Sequence, residues 1–241
     1  MLIGAGIGLL SGAFGKGGSA LATPLLHLIG VPAIIAVASP LPATVPSTLL
    51  ASRTYAREGH VDGRVLRLAI FAGVPATIVG ALCTRWIPGG SLVLVTDVIV
   101  LALGIRVLLR AHDAAPDAPQ VVCSATRVCI VLALVGLLSG LLGNSGGFLL
   151  APLFMTVLQM PLRRALGTSL AVSALIAVPG TIVHATLGHI DWSLTLAFGL
   201  ASVPFAIFGA RLAMQMRERA LTLSYGFGLS ALAGGLLVFA R

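Results

Sequence analysis

Of the 241 residues, 58% are apolar and only 9% are charged, whereas a soluble domain carries roughly 25% charged residues to cover its surface. This composition excludes a water-soluble globule and indicates an integral membrane protein. The formal net charge of +8 would suit nucleic-acid binding if the basic residues were clustered on one face. Fourteen of the fifteen are arginines, mostly near the ends of apolar stretches, so we interpret them as topology signals and expect no nucleic-acid partner.

Six apolar stretches approach or reach the roughly 20 residues that an α-helix needs to cross the hydrocarbon core. Backbone polar groups in lipid have to be satisfied internally, and nothing in the sequence has the alternation of ten-residue barrel strands. The sequence therefore predicts an all-α, multi-pass integral membrane protein. The stretches are 65–83, 91–109, 128–142, 165–184, 193–214 and 221–240. The stretch 128–142 is shorter than the others.

The remaining composition gives no sign of a metal or cofactor. Cys83, Cys123 and Cys129 lie in or beside apolar segments without metal-ligand spacing, and we interpret them as small buried hydrophobes. The first ten residues lack a basic region, so we expect no cleaved signal peptide. We predict no metal site and no cofactor.

The chain contains an internal repeat, which is a strong indicator of architecture. Residues 7–12, IGLLSG, recur as 135–140, VGLLSG, an offset of 128; after one inserted residue the offset is 129, and Gly-His-Val-Asp at 59–62 recurs as Gly-His-Ile-Asp at 188–191. The polar stretch between the halves contains Pro116 and Pro119 and is the predicted linker. The predicted domains are a first transmembrane repeat, 1–110, the linker, 111–120, and a second transmembrane repeat, 121–241.

Each repeat begins with a segment that glycines interrupt, 1–31 and 121–160, and continues with three helices. Each arm of the first segment has about 14 residues, which as helix span about 21 Å, whereas the hydrocarbon core is about 30 Å thick. The sequence therefore predicts a broken or re-entrant helical hairpin at the start of each repeat.

The placement of arginines favours a hairpin that returns to its own side of the membrane. If each segment crossed once, the arginines would divide between the two sides. If each segment returns, only Arg85 and Arg241 lie opposite the rest, as the positive-inside rule requires. The repeats are then inverted in topology, which is a common plan of secondary transporters, and the arginine-rich loops are cytoplasmic. The twelve arginines on that side are Arg53, Arg57, Arg64, Arg67, Arg106, Arg110, Arg127, Arg163, Arg164, Arg211, Arg217 and Arg219.

The glycine breaks form the predicted substrate site. An interrupted helix presents unpaired N–H groups and a positive dipole end, which suit an anion. Lys16 lies between two apolar arms, where a charge costs about 2.5–3.5 kcal/mol and usually faces a cavity or a partner. Its repeat mate is Asn144, and we expect the two breaks to approach each other from opposite faces. The alternative is that the glycines only permit close helix packing.

Hydroxyl groups after each hairpin are expected to complete the binding shell, although such groups also bond back to their own helix. Prolines at 40, 42 and 46 free carbonyls in the first repeat. Asp97 is a candidate carrier of a coupling proton; the alternative is that it lies near the outer interface. Asp62 and Asp191 are interpreted as helix N-caps. The predicted substrate-binding residues are Gly15, Lys16, Gly17, Gly18, Ser39, Gly143, Asn144, Ser145, Gly146, Gly147, Thr168 and Ser169.

These motifs, taken together, resemble the TauE/SafE family of sulfite and organosulfonate exporters. The resemblance rests on two glycine-rich breaks each followed by Pro-Leu, on Gly-Thr-Ser-Leu at 167–170 and on the paired Gly-His-hydrophobic-Asp turns. It covers nearly the whole chain and implies a permease of the bacterial inner membrane for small sulfur-containing or carboxylate anions. The chain departs from the family pattern at Ala38-Ser-Pro-Leu, at Lys16 and Asn144, and in its shorter first arm, which concerns the substrate more than the fold.

Two other functions are consistent with parts of the sequence. Gly143-Asn-Ser145-Gly-Gly147 matches the nucleophile elbow of serine hydrolases and the motif of rhomboid-type proteases, with His184 or His189 as a base; the first repeat, however, has Gly17 in place of Ser145. A membrane scaffold would keep the repeat but would not need Lys16.

We predict a secondary transporter rather than an enzyme. It moves a small anion, as an exporter, by alternating access and is driven by the proton gradient. Its expected partners are the anion and the lipid bilayer, and a homo-oligomer is left open.

Overall fold

A computed structural model describes residues 2–15, 22–23, 26, 30–83, 124–217, 220–221, 223–224 and 227, and the structural statements below concern that part of the chain. Its elements are helical. They are α1 (Leu2–Phe14), α2 (Ala33–Ala38), α3 (Leu41–Arg57), α4 (Gly63–Leu68), a π-helical turn (Ala69–Gly73), α5 (Val74–Cys83), α6 (Ala125–Leu141), α7 (Gly147–Thr156), α8 (Leu162–Thr186) and α9 (Trp192–Gln215).

Four of the described helical stretches are long and apolar enough to cross a membrane, which confirms an all-helical membrane protein. They are Ile34–Arg57, Gly63–Cys83, Leu162–Thr186 and Trp192–Gln215, so three of the predicted stretches are confirmed within a few residues at either end. Residues 128–142 correspond to α6, which has 17 residues and is shorter than the four. The predicted stretch 91–109, the linker 111–120 and most of 221–240 lie outside the described residues.

The outward surface of these helices is apolar, as a lipid-facing surface has to be. Phe71 is 77% exposed, Leu200 69% and Leu196 65%. Soluble monomers rarely expose contiguous apolar patches larger than a few hundred Å². Inside, small residues and hydroxyls alternate with leucines, and the buried side chains include Tyr55, Phe154 and His184.

The described arginines gather at one end of the helical bundle, here called the arginine end. Arg164 Nη2 contacts Asp62 Oδ2 at 2.8 Å, which joins the start of α8 to the start of α4. Arg163 Nη2 donates to the Met216 carbonyl at 2.7 Å, which joins the end of α9 to the same place. Nine of the twelve arginines predicted for one side are described, and all lie within about two turns of this end: Arg53, Arg57, Arg64, Arg67, Arg127, Arg163, Arg164, Arg211 and Arg217.

The opposite end joins the other termini of the same helices. The Asp191 amide donates to Ser39 Oγ at 2.9 Å, and Thr195 Oγ1 donates to the Ser39 carbonyl at 2.6 Å. These bonds connect the start of α9 to the turn between α2 and α3. No arginine or lysine of the described ranges lies at this end.

Glycines let two pairs of helices cross in close contact. Along α1, Gly4 lies against Phe198 and Gly12 against Ala206 of α9; the residue numbers rise together, so the two helices run parallel. In the same way α6 runs parallel to Gly63–Cys83, with Gly136 against Gly73 and Gly140 against Thr77. The first helix of each sequence repeat, α1 or α6, therefore packs on a helix of the other repeat.

Asp62 and Asp191 cap helices, as predicted. Asp62 Oδ1 accepts the amides of Arg64 and Val65 at 2.9 and 3.2 Å, and Asp191 Oδ1 accepts those of Ser193 and Leu194 at 2.9 and 3.1 Å. The bond from the Leu194 amide, together with those from Ser193, holds the pKa of the Asp191 carboxyl below its ordinary value. The stability from this cap is therefore present at neutral pH and is lost as the pH falls through the range in which the carboxyl is protonated.

The two caps differ in one respect that mutagenesis can isolate, because only Asp62 also pairs with an arginine. Asparagine keeps a capping oxygen but removes the charge, so Asp191→Asn should lower the unfolding midpoint in detergent only slightly, by the contribution of the charged cap alone. Asp62→Asn should lower the free energy of unfolding by up to about 1 kcal/mol through loss of the partly exposed Arg164 pair. Equal midpoints for the two variants at low salt would show that the ion pair contributes nothing.

Candidate functional site

The second glycine break is a buried loop between α6 and α7. Gly143 and Gly146 have φ of 55° and 65°, a left-handed conformation that glycine adopts without strain. The Asn144 amide donates to the Ser139 carbonyl at 2.9 Å, and Asn144 Oδ1 accepts the Gly146 amide at 2.8 Å. The side chain of Asn144 thus shapes the loop that brings Gly147 to the start of α7.

The chain then returns towards the end from which it came. The start of α6 lies at the arginine end, because Arg127 precedes Gly136 by as many residues as Arg64 precedes Gly73. Helix α7 leads into α8, which also begins at the arginine end. The loop of residues 142–147 is buried throughout.

The first glycine break begins at Gly15, with φ of 64°. Its carbonyl accepts a hydrogen bond from Ser169 Oγ at 3.2 Å, and Ser169 also donates to the Leu166 carbonyl at 2.8 Å. Two predicted site residues of different repeats, Gly15 and Ser169, are therefore in contact. Lys16, Gly17, Gly18 and Asp97 lie outside the described residues.

The two breaks begin at different depths along α8. Gly15 lies against Leu166 and Ser169, whereas Gly143 lies against His184. The fifteen residues between Ser169 and His184 correspond to about 22 Å of helix. Gly15 and Gly143, the first residues of the two breaks, therefore lie at different depths of the bundle. The expected approach of Lys16 to Asn144 stays a prediction, because Lys16 lies outside the described residues.

Within this arrangement, the second break reaches back towards the middle of the bundle. Gly146 lies against Ile176, near the centre of α8, and against Ser139 of α6. The Ser139 hydroxyl is buried and has no hydrogen-bond partner. The amides of Gly147 and Phe148, in the first turn of α7, have no acceptor among the described residues. A buried hydroxyl and two helix-terminal donors therefore converge on the N-terminus of α7.

Ser139 was not among the residues predicted from the sequence. Its repeat mate Ser11 is likewise buried and has no hydrogen-bond partner. The signal was available, since both serines belong to the repeated GLLSG motif. The motif aligns the two halves, but a serine inside an apolar helix does not by itself indicate a binding group, because its hydroxyl can bond back to the helix.

Ser39 and Thr168, which are repeat mates, join the two halves. Ser39 Oγ accepts the Asp191 amide at 2.9 Å, and Thr168 Oγ1 accepts the Asp62 amide at 3.0 Å. Each hydroxyl thus satisfies the turn of the other repeat, at opposite ends of the bundle. Other hydroxyls bond back to the backbone of their own segment, which was the alternative to a role in binding. Thr44, Ser47 and Thr48 each donate to a carbonyl three or four residues earlier.

A second pair of contacts relates the repeats. Tyr55 Oη donates to the carbonyls of Gly12 and Ala13 at 3.3 and 3.2 Å, near the end of α1. The repeat mate of Tyr55 is His184, whose Nε2 lies 3.4 Å from the carbonyl of Gly140, near the end of α6. We call these two contacts the tyrosine tie and the histidine tie.

The described residues give no support to the enzyme alternative. The ring nitrogens of His184 contact His189 and the Gly140 carbonyl, so neither is bonded to Ser145. No group of three His, Cys, Asp or Glu in the described ranges could hold a metal ion. An open groove of about 440 Å³ between α3 and α9 is lined by Pro42, Pro46, Gly199, Pro204 and other mostly apolar residues, which suits lipid better than an anion.

Comparison with known proteins identifies the class. Over 248 residues the chain is 30% identical to a probable membrane transporter protein of Xylella fastidiosa (strain 9a5c), covering 100% of this chain and 92% of the relative. It is 27% identical over 238 residues to the probable membrane transporter protein YdhB of Bacillus subtilis, covering 97% of this chain and 96% of the relative. No solved structure gives a significant match. The helical bundle and these relatives define a multi-pass membrane transporter, not an enzyme.

The family is equally clear. The family described as sulfite exporter TauE/SafE matches residues 1–236. The chain therefore belongs to the TauE/SafE family, as its motifs predicted.

Proposed function

We propose that this protein is a secondary transporter that exports a small anion across the bacterial inner membrane by alternating access. The substrate is a sulfur oxyanion, an organosulfonate or a short carboxylate. The observation that carries the proposal is the N-terminus of α7, where two amides and the buried Ser139 hydroxyl lack partners among the described residues. An unsatisfied polar group inside a membrane costs roughly several kcal/mol. An anion bound at the N-terminus of the helix would satisfy these groups.

The proposed architecture is two inverted-topology repeats, 1–110 and 121–241, joined by the linker 111–120. It is supported by the opposite directions of the first arms: α6 starts at the arginine end, whereas α1 ends near Tyr55 at that end. The paired bonds of Ser39 with Asp191 and of Thr168 with Asp62 lie at opposite ends, as a two-fold axis in the membrane plane requires. The arginine end is then cytoplasmic.

In this proposal the two breaks contribute different groups to the binding of the anion. The loop 143–147 offers backbone donors and the Ser139 hydroxyl, while Asn144 holds the loop in shape. Lys16, with Gly17 and Gly18, supplies the positive charge that replaces part of the lost hydration of the anion. Ser169 positions Gly15, and Ser39 and Thr168 hold the repeats against each other. Asp97 stays a candidate for the coupling proton.

The architecture predicts opposite accessibility of two repeat mates, Glu58 and Leu187, which are exposed residues of equivalent turns. In a background without the native cysteines, Glu58→Cys should react only with a reagent that reaches the cytoplasm, because it lies at the arginine end. Leu187→Cys should react with an impermeant reagent added outside. Labelling of both positions from the same side would mean parallel repeats and would refute the inverted arrangement.

Anion-dependent thermal stabilisation of the purified protein tests the proposed substrate class, because a ligand that binds the native state raises its apparent stability. Sulfite, sulfoacetate and short carboxylates should raise the unfolding temperature, and matched cations and neutral sugars should not. Ser145→Ala is expected to keep this stabilisation, because in this proposal the loop 143–147 binds the anion through its backbone amides, which alanine retains. Stabilisation by uncharged or cationic solutes alone would contradict the proposal. Peptidase activity that Ser145→Ala abolishes would favour the hydrolase.

A further inference from the structure

The histidine tie contains a second histidine. His184, fully buried near the end of α8, and His189, half-buried in the following turn, place their Nδ1 atoms 3.2 Å apart. The ring centroids are 5.4 Å apart and the planes are tilted by 46°. Two imidazole nitrogens at this distance share a proton, because one has to donate and the other to accept. The pair is therefore a hydrogen-bonded chain from the half-exposed turn to the interior.

The partners define which nitrogen carries each proton. In neutral His184, Nε2–H donates to the Gly140 carbonyl, so Nδ1 is the acceptor. His189 then donates its Nδ1–H and keeps Nε2 free to accept a proton. A proton that binds His189 Nε2 makes an imidazolium, and its Nδ1 proton can pass to His184 Nδ1. His189 is left neutral as the Nε2–H tautomer, and His184 becomes an imidazolium with both N–H groups bonded.

Among the described residues, His184 has no charged side chain beside it other than its histidine partner. The described contacts of His184 are with Gly140 at the end of α6 and with Gly143 of the following loop, and one turn earlier Gly180 lies against Leu41 of α3 and Thr77 of α5. None of these segments carries a charged side chain near the pair in the described ranges. Asp191, two residues after His189, uses its carboxylate to cap α9. Arg127 lies at the far end of α6, and the thiol of Cys83 ends α5. A positive charge on His184 would therefore have no negative partner among the described residues, and it would arise next to Gly143, where an added Cβ atom would lie 3.3 Å from Nε2.

The two ties differ in chemistry although they occupy equivalent places. The tyrosine tie uses a phenol, which does not gain a proton in the physiological range, whereas histidine is the side chain that does so. His60, the repeat mate of His189, follows Tyr55 at the arginine end. Protonation can therefore change the histidine tie at the opposite end without changing the tyrosine tie at the arginine end.

We propose that His184 and His189 form a proton-binding site of the transporter. A proton enters from the side opposite the arginine end through His189, is held on His184, and strengthens anion binding at the neighbouring glycine break. The claim that a bound proton strengthens anion binding rests on the proposed function. The claim that the two histidines share a proton does not.

The test measures the affinity of the purified protein for methanesulfonate at pH 5.5 and at pH 7.5. The charge of this organosulfonate is constant between these pH values, so a change in affinity reports on the protein. Wild-type protein should bind it at least about fivefold more tightly at pH 5.5, the lower range of measured coupling between sites. His184→Tyr recreates the tyrosine tie and should keep the fold but lose this pH dependence, and His189→Gln should lose it as well. His60→Gln, the matched control at the arginine end, should keep it.

An unchanged pH dependence in both His184→Tyr and His189→Gln would overturn the proposal. A nitrogen NMR titration of labelled histidines separates this failure from that of the proposed function. The resonances of His184 and His189 should titrate as a coupled pair, and His189→Gln should shift the titration of His184, even if methanesulfonate does not bind. Independent titration of the two rings would refute the proton-binding site, whereas coupled titration without binding of any anion would refute only the transport function.

Discussion

Replacing Gly12 by alanine is expected to abolish folding of the protein into a monodisperse species in detergent. A Cβ on Gly12 would collide with the carbonyl of Ala206 in α9, and a backbone group has no rotamer by which to move away. The two helices would have to separate along their whole contact. Overpacking of a tight interior costs about 1–3 kcal/mol and occasionally more, and a collision between backbones belongs at the upper end of that range.

The same helix supplies the matched control. A Cβ on Gly6 meets no atom within 4 Å, and alanine is favoured over glycine inside a helix by roughly 0.5–1 kcal/mol. Gly6→Ala should therefore have an unfolding temperature equal to or above that of wild type. Gly140→Ala, the repeat mate of Gly12→Ala, should be as severe, because its Cβ would meet the Thr77 carbonyl. Size-exclusion yield and unfolding temperature measure all three; a Gly12→Ala protein as stable as Gly6→Ala would contradict the described crossing.

Replacing Lys16 by methionine is expected to abolish anion-dependent thermal stabilisation while leaving the protein folded. The residue follows Gly15, which Ser169 holds against α8, and it is the only lysine of the chain. Without an anion, the variant should be as stable as wild type or more stable, because a charge within the membrane, where the sequence predicts Lys16, costs about 2.5–3.5 kcal/mol. Lys16→Arg should also impair binding, since a planar guanidinium places its donors differently from a compact ammonium.

The opposite break provides a graded comparison. Asn144→Ala removes the acceptor for the Gly146 amide, a hydrogen bond worth about 1 kcal/mol net, so anion affinity should fall by several-fold only. Asn144→Asp keeps the acceptor and should preserve the loop, but it adds a negative charge and should weaken anion binding. Retention of wild-type stabilisation by Lys16→Met would place the charge outside the binding site.

Features that depend on near neighbours in the chain could be predicted from the sequence. Asp62 and Asp191 precede apolar helices, and a capping carboxylate needs only the amides two and three residues later. The arginine end followed from the positive-inside rule, because it depends on the order of helices and not on how they pack. The repeat itself gave the correspondence of Tyr55 with His184, although not what either contacts.

Features that depend on how distant helices cross could not be predicted. The hydroxyl of Ser39 looked like a binding group, but its partner is an amide 152 residues away. The depth of Gly15 depends on how far α1 extends along α9, and the depth of Gly143 on how far α6 extends along Gly63–Cys83. The glycines of α1 and α6 permit these close crossings but do not fix the register. The hydroxyl of Ser139 is buried beside the start of α7 without a hydrogen-bond partner. This position depends on how α6 and α7 pack, which the repeated motif does not predict.

Transport by the reconstituted protein tests the central claim most directly. Vesicles containing purified protein and loaded with labelled sulfite, sulfoacetate or a short carboxylate should release at least one of these anions faster than protein-free vesicles. The same preparation should not move a labelled cation, and Lys16→Met should be inactive while Ser145→Ala is active. Movement of cationic or uncharged solutes alone, or equal anion release by Lys16→Met and wild type, would contradict an anion transporter that binds its substrate at these breaks.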